Sequence, residues 1–407
     1  MLNVEQRRVY KYVQEILVEN KPSQRCIDLS GGAGTGKSFC IRACLQLAAQ
    51  TSNSSESIIV AAPTGGAATL LPNGRTLHSL LKIPAEDTIW TFIQDLSGPA
   101  LGDIQDRFVN ARLLIIDEKG MVGQARLSQI NRRLQQARPN FSHLPFGGLS
   151  VILAGDWRQL PPVKDLPLHS QNKGSPPQME GRILYELFNI SIQLTEIQRQ
   201  RGESNRQFRG ELERLGTGEF TEADYDRWTT RDLAKLSAEE KTHFQNYAVK
   251  LCSMKKDTRS FNISHLKALQ QPCFKIKAIN SKGAGTADSA TAKGLPKELV
   301  LCKNAKVILT VNLWTESRLV NGTKGTIKYV VFNENEAPPQ HQPAFLLVEF
   351  DQYTGPSFLP DEPKLVALSA VTKTWILKGT VLSRTMYPLM LGWAISIHKS
   401  QGEAFPF

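Results

Sequence analysis

Short apolar runs punctuate the first half of this chain at intervals that a buried parallel sheet requires. They fall at 26–29, 57–62, 113–116, 151–154 and 191–194, and stretches of helical length lie between them. One such stretch, FCIRACLQLAA from Phe39 to Ala49, follows the first run almost directly. Buried strands alternating with helices predict an α/β fold with a parallel, doubly wound sheet. The second half has a different texture. From 299 to 371, short β-rich runs are separated by Asn-Gly, Pro-Pro and Gly-Pro, which predicts a small inserted β-barrel. Between the halves, 263–298 contains QQPCFKIKAINSKGAGTADSATAKGLP, which is poor in large apolar residues and is expected to be a linker or surface loop. No internal repeat of solenoid period is present.

Composition narrows the class further. A chain of 407 residues exceeds what one core serves, so two or three domains are expected. With 41% hydrophobic and 21% charged residues it is an ordinary globular composition. No apolar run has the length of a membrane span, and MLNVEQRRVYKYV at the amino terminus has no signal-peptide core, so an intracellular protein without a membrane partner is expected. The six cysteines include no CxxC pair and no histidine at ligand spacing, the pattern of free thiols in a reducing compartment. Cys40 and Cys44 read as small buried residues of a helix. A net charge of +11 and a pI near 9.3 point, weakly, to a polyanionic partner.

One motif fixes the chemistry. After the first apolar run come Gly31, Gly32, Ala33, Gly34, Thr35, Gly36, Lys37 and Ser38, and then the helical stretch. Strand, glycine-rich loop and helix is the context in which GxxxxGK[ST] binds phosphate. The glycines let backbone N–H groups turn toward phosphate oxygens, and the helix dipole favours the anion. Lys37 is expected on the β- and γ-phosphates of ATP, and Ser38 on Mg2+. The run 113–116 ends in Asp117-Glu118, at the strand end where parallel sheets bind ligands. Asp117 is the second expected Mg2+ residue, and Glu118 the group that polarises the attacking water. The run 151–154 leads into GDWRQLPPV, where Gln159 is placed to sense the γ-phosphate.

Taken in order, these strings resemble the Pif-type DNA helicases of superfamily one, relatives of the RecD branch. The carriers are Leu2-Asn3-x-x-Gln6, VAAPTGGAA, GRTLHS, PFGGLSVILAGDWRQLPPV, LTEIQRQ, LTVNLWTESRLVNGTKGTI and PLMLGWAISIHKSQG, spanning nearly the whole chain. The resemblance implies two RecA-like P-loop cores that grip ATP between them and walk 5′-to-3′ on single-stranded DNA, at duplex junctions. It implies that Gln6 recognises adenine, that Arg199 reaches the γ-phosphate and that Gly402 lies at the nucleotide. DNA contacts are implied for Pro63, Thr64, Thr76, His78, Asn321, His398 and Lys399, and base stacking is one reading of Trp157, a buried platform the other. The first core is expected over 1–190, with a strand-separating wedge at 76–110. The second is expected over 191–262 and 372–407. A monomer is implied, acting in the nucleus or mitochondrion if the source is eukaryotic; repair, recombination and telomere roles would follow only from the family.

The sequence departs from the pattern at two places. After Asp117-Glu118 the family has a branched residue, serine and methionine, where this chain has Lys119-Gly120-Met121. The chain also stops at Phe407, five residues after Gly402, before a motif whose arginine contacts the γ-phosphate. Such arginines contribute on the order of 10³–10⁵ in rate. Slow hydrolysis with Arg199 alone at the γ-phosphate, an incomplete second core and association through its uncovered surface are therefore expected; fast turnover would mean that another arginine, Arg201 or Arg384, has taken over the role. The alternative function is a nucleotide-gated protein that binds single strands without unwinding. The other arginines of QRQRGESNRQFRGELER, together with Arg132 and Arg133, are expected to be solvated helix faces.

Overall fold

The computed structural model describes residues 2–18, 23–51, 56–69, 71–84, 90–198, 202–289, 291–335, 341–377 and 380–400. The chain divides into two compact units, Met1–Leu236 and Ser237–Phe407.

The first unit is built on six parallel strands, β1 (Cys26–Gly31), β2 (Ile58–Ala62), β3 (Arg75–Thr76), β4 (Leu113–Ile116), β5 (Ser150–Gly155) and β6 (Ile190–Leu194), in the order β3-β2-β4-β5-β1-β6. Helices cover both faces. Leu113, Ile115, Ile152 and Ala154 point to one side, where they pack with α1 (Val4–Val18) and α2 (Lys37–Thr51). Their neighbours Leu114, Ile116, Val151 and Leu153 point to the other. There they meet α4 (Leu77–Leu81), α5 (Gly98–Phe108), α6 (Gln124–Ala137) and α7 (Pro176–Glu186); the short α3 (Gly65–Thr69) lies between β2 and β3. Four of the five apolar runs are thus strands buried on both faces, which is why they read as continuous rather than alternating; β6, at the sheet edge, exposes Ser191 and Gln193.

Two expectations about this unit are corrected. The run at 191–194 does not open a second core: β6 pairs in parallel with β1, from Ile27↔Ile190 to Gly31↔Leu194. Pairing to the free edge of β1 places the end of β6 beside the phosphate loop. The unit continues through α8 (Arg206–Thr217) and α9 (Glu222–Thr229). The described part of 76–110 contributes Leu77, Leu80, Leu81, Ile83, Ile104 and Phe108 to the core, while Trp90 and Phe92 stay exposed. The second correction is Arg133, which is buried, not solvated. It donates to Gln94 O (2.8 Å) and Gln136 Oε1 (2.7 Å).

The second unit begins with α10 (Ala238–Tyr247). Then β7 (Lys250–Cys252) pairs in parallel with β18 (Ala394–Ser396), and α11 (Lys255–Ala268) packs on the pair. Asn262 of α11 exchanges two 2.9 Å hydrogen bonds with the Ala394 backbone. Among the described residues, this pair and the short α12 (Ile397–Ser400) are the parallel part of the unit. The rest is antiparallel. Its main sheet runs β14 (Leu365–Leu368), β13 (Phe345–Phe350), β12 (Lys324–Val331), β11 (Lys306–Leu309), β17 (Leu389–Leu391). A second sheet joins β15 (Val371–Leu377), β16 (Thr380–Met386) and β9 (Ile279–Asn280), and a third pairs β8 (Phe274–Lys277) with β10 (Glu298–Leu301).

Strands β10 to β14 lie wholly or partly within 299–371, but their sheets draw strands from both sides of that range. Two corrections follow. The segment 372–386 is an antiparallel hairpin rather than part of a parallel core. The segment 263–298 is not a linker, because Ile276, Ala284, Ala292 and Leu295 lie in the core of the unit. Small side chains bury it, and a fully buried Arg384 ties it down. The Arg384 guanidinium donates to Asn280 Oδ1 (2.8 Å) and to the carbonyls of Leu295 (3.0 Å), Ala284 (3.2 Å) and Ala287 (2.8 Å). Arg384 is thus committed to structure and does not substitute for a nucleotide-contacting arginine.

Candidate functional site

The glycine-rich loop runs from the end of β1 into α2, and its conformation demands its glycines. Gly34 (φ 81°) and Gly36 (φ 90°) occupy the left-handed region. A Cβ on Gly36 would also meet Gln6 Nε2 at 2.5 Å. Lys37 folds back over the loop, its ammonium donating to the carbonyls of Gly31 (2.7 Å) and Gly32 (3.0 Å). Ala33 is exposed and Thr35 is buried, with its hydroxyl donating to Gly32 O (3.0 Å). Ser38 follows in the first turn of α2.

Gln6 supports this loop from α1. It is 2% exposed, its Nε2 donates to Thr35 O (3.3 Å), and its Oε1 accepts from Asn3 N (3.1 Å). Gln198 N donates to Gly34 O (2.7 Å) from the segment after β6. A cavity of about 690 Å3 opens over the loop, lined by Gly31, Gly32, Asp156, Arg158, Leu194 and Gly216 among others.

Asp117 and Glu118 follow β4, two strands away from β1. Asp117 is buried and accepts from Glu118 N (2.9 Å). Burial pushes its carboxyl above the ordinary range, against the pull of the Lys37 ammonium. A buried carboxylate in that state is one that a bound cation would stabilise. Asp117 and Ser38 supply the hard oxygen donors that Mg2+ takes, so the residues present fit a magnesium–nucleotide complex. Glu118 is half-buried and sits at φ 57°, ψ 46°, a left-handed conformation uncommon for a residue with a side chain. Gln159 is also half-buried, in the turn that follows Asp156.

Lys119, the departure flagged in the sequence, solves a problem hidden in β1. Asp28 lies inside a strand buried on both faces, and a charge there requires a partner. Lys119 is fully buried with its ammonium on Asp28 Oδ1 and Ser30 Oγ. Tyr185 donates to Asp28 Oδ2 (2.9 Å) and Ser30 to Oδ1 (2.9 Å). Desolvation lowers the Lys119 ammonium and the Asp28 carboxylate raises it back. This network joins β1, the acidic motif and α7. The sequence carried a signal for it: one acidic residue in an otherwise apolar run, and one lysine where the pattern has an apolar residue.

The expected DNA contacts separate into three groups. Pro63, Thr64, Thr76 and His78 come together, because Ala62 and Thr76 are paired neighbours at the ends of β2 and β3. Thr64 Oγ1 accepts from Ala67 N (3.3 Å) and Thr76 Oγ1 from Ser79 N (3.2 Å), so both threonines also cap the following short helices. Trp157 is half-buried. It meets His169 and Tyr185 edge to face, and the Lys119 ammonium lies 4.5 Å from its ring centre. Those contacts favour the platform reading of Trp157 over base stacking. In the second unit Asn321 N donates to Asn312 Oδ1 (2.8 Å), while Asn321 Oδ1 is buried without a hydrogen-bond partner. His398 and Lys399 fall on α12, with side chains outside the described part. Arg199, Arg201 and Gly402 lie outside the described residues.

Comparison with known proteins bears on the whole arrangement. The sequence profile of the PIF1-like helicases matches residues 1–225. The ATP-dependent DNA helicase PIF1 of Xenopus laevis is 27% identical over 395 residues, which take in 96% of this chain and 55% of that protein. The crystal structure of a Pif1 helicase from Candida albicans superposes with a TM-score of 0.71 at 26% identity, covering 100% of this chain and 87% of that one. A Bacteroides Pif1 bound to single-stranded DNA superposes with a TM-score of 0.63 at 25% identity, covering 100% and 84%. This chain spans about half the length of the curated relatives it matches.

Proposed function

The chain belongs to the PIF1-like helicase family, and we propose that it is an ATP-dependent DNA helicase that moves 5′-to-3′ along single-stranded DNA. The observation that carries this reading is the convergence, on one parallel sheet, of a phosphate loop and an acidic pair. The loop has left-handed glycines and an inward-folded lysine, and the buried Asp117 of the acidic pair is electrostatically linked to that lysine. Pro63, Thr64, Thr76 and His78, gathered at the neighbouring strand ends, form the strand-contacting patch of the first unit. Asn321, His398 and Lys399 are the DNA contacts proposed for the second unit.

Lys37 would hold the β- and γ-phosphates, and Ser38 and Asp117 would hold Mg2+, which would supply charge neutralisation when bound. Glu118 accepts the proton of the attacking water, Gln159 and Arg199 sense the γ-phosphate, and Gly402 borders the nucleotide. Gln6 serves a double role, bracing the loop and presenting its edge to adenine. The substrate is single-stranded DNA and its junctions with duplex, met by a monomer inside the cell, in the nucleus or mitochondrion if the source is eukaryotic.

Steady-state ATP hydrolysis with and without single-stranded DNA tests this reading. Strand-stimulated turnover that disappears in Lys37→Ala is the expected result. Nucleotide affinity unchanged in Lys37→Ala would overturn the phosphate-loop assignment. Tight ATP binding with no turnover on any strand would move the protein to nucleotide-gated single-strand binding.

A further inference from the structure

Arg158 occupies a position that the motif does not demand and that the cavity over the phosphate loop makes useful. It stands between Trp157 and Gln159, on the turn leaving β5. Asp156, 9% exposed, anchors it twice: Oδ1 accepts from Arg158 N (3.0 Å) and from Arg158 Nε (3.2 Å). That grip holds the stem of the guanidinium and directs its two terminal nitrogens elsewhere. Nη2 lies against the phosphate loop, 2.6 Å from where a Cβ on Gly32 would be. Nη1 lies against α8, 3.0 Å from where a Cβ on Gly216 would be, with Arg158 Cδ at 2.8 Å from the same point. Both glycines thus leave the space that this side chain fills. Gly216 sits inside a helix, where glycine costs about 1 kcal/mol relative to alanine. Its φ is not in the left-handed region, so room for Arg158 is the evident gain at that position.

We propose that Arg158 is a catalytic residue of the nucleotide site, an arginine in cis that donates to γ-phosphate oxygens as charge builds on them. The proposal rests on the phosphate-loop reading above. In the step it serves, the water oxygen bonds to the γ-phosphorus as the bond to the bridging oxygen breaks. The electron pair passes to the β-phosphate, and the proton of the water goes to Glu118 and on to solvent. Arg158 exchanges no proton; its planar fork matches two phosphate oxygens, which a lysine at that place would not. Because the side chain also rests on α8, its movement toward phosphate would release that helix. Loss of phosphate would return it.

The test uses the whole chain and compares Arg158→Ala, Arg158→Lys, Gly216→Ala and Lys37→Ala. Strand-stimulated ATP turnover is measured, together with affinity for ADP alone and for ADP with aluminium fluoride, which mimics the phosphoryl group in transfer. For Arg158→Ala, kcat should fall about 10²–10³-fold, the effect of removing one preorganised donor, with KM and ADP affinity unchanged. Its affinity for ADP with aluminium fluoride should fall by a similar factor, and Arg158→Lys should recover part of both losses. Gly216→Ala, which favours the helix but displaces the guanidinium, should show the same signature in weaker form. Turnover within about threefold of the unaltered chain in Arg158→Ala would overturn the proposal. Equal loss of affinity for ADP and for its aluminium fluoride complex would do so too, since it would reveal a role in pocket shape. The affinity ratio decides the matter even if turnover is slow. Failure of Lys37→Ala to weaken nucleotide binding would instead bring down the phosphate-loop reading, whatever Arg158 does.

Discussion

At the scale of single residues, the site combines groups that its chemistry needs with one pair that only its burial explains. Lys37, Asp117 and Glu118 belong to the first kind. Lys119 and Asp28 belong to the second, since neither contacts a phosphate and each would be intolerable alone in that core. Removing one partner leaves an uncompensated charge, so Lys119→Met or Asp28→Asn should each destabilise the chain by about 3–5 kcal/mol in urea unfolding. The double variant should recover most of that loss, because apolar packing can replace a buried ion pair at little cost. Additive losses in the double variant would show that the two residues are not acting as a pair.

At the scale of elements, two tertiary clamps can be tested. The first joins α8 to α9. Asp224 accepts from Arg214 Nε (2.8 Å), Thr221 N (3.0 Å) and Thr221 Oγ1 (2.8 Å). The Arg214 guanidinium, with Thr221 beside it, holds the Asp224 carboxyl well below the usual range. A carboxyl depressed in the folded state stabilises it above the unfolded-state value, about 4, and that contribution is lost as pH falls through the folded value. The denaturation midpoint should therefore drop on acidification below about pH 4, and Asp224→Asn should flatten that acid limb. Parallel acid limbs in the two proteins would exclude this clamp. The second is Arg384, which fastens the 280–295 segment to β16 through four hydrogen bonds. Arg384→Met leaves the carbonyls of Ala284, Ala287 and Leu295 without that donor. Limited trypsin digestion should then cut after Lys282 or Lys293 in the variant while sparing the unaltered chain.

At the scale of the whole molecule, the expected partner is a polyanion, and its binding should obey counterion release. Affinity for single-stranded DNA should fall linearly in log salt, with a slope of about −0.7 per phosphate neutralised. Fluorescence anisotropy at several salt concentrations measures it. Removing one backbone-contacting side chain, as in His78→Ala, should weaken binding to all sequences alike. A flat salt response would remove the DNA reading of the patch at β2 and β3. The net charge of +11 does not substitute for that measurement, since it locates no surface.

The sequence by itself determined the local and periodic features. Strands buried on both faces must be largely apolar, so the runs of β1, β2, β4 and β5 could be read directly, with the loop, acidic pair and Gln159 at their ends. Glycines at 34 and 36 were legible for the same reason, because a left-handed turn admits little else. Other features depended on partners far apart in the chain. β6 joined the first sheet because the edge of β1 was free to pair. The 263–298 segment looked like a linker because its burial is achieved by alanines and by a remote arginine rather than by large side chains. Trp157 was read as a possible stacking residue, but the cation on its ring comes from Lys119 and the edges from His169 and Tyr185. Nothing local in the sequence distinguishes Arg158 from other basic residues. Its place between Gly32 and Gly216 exists only once β5, the phosphate loop and α8 have been brought together, which no local pattern of side chains encodes.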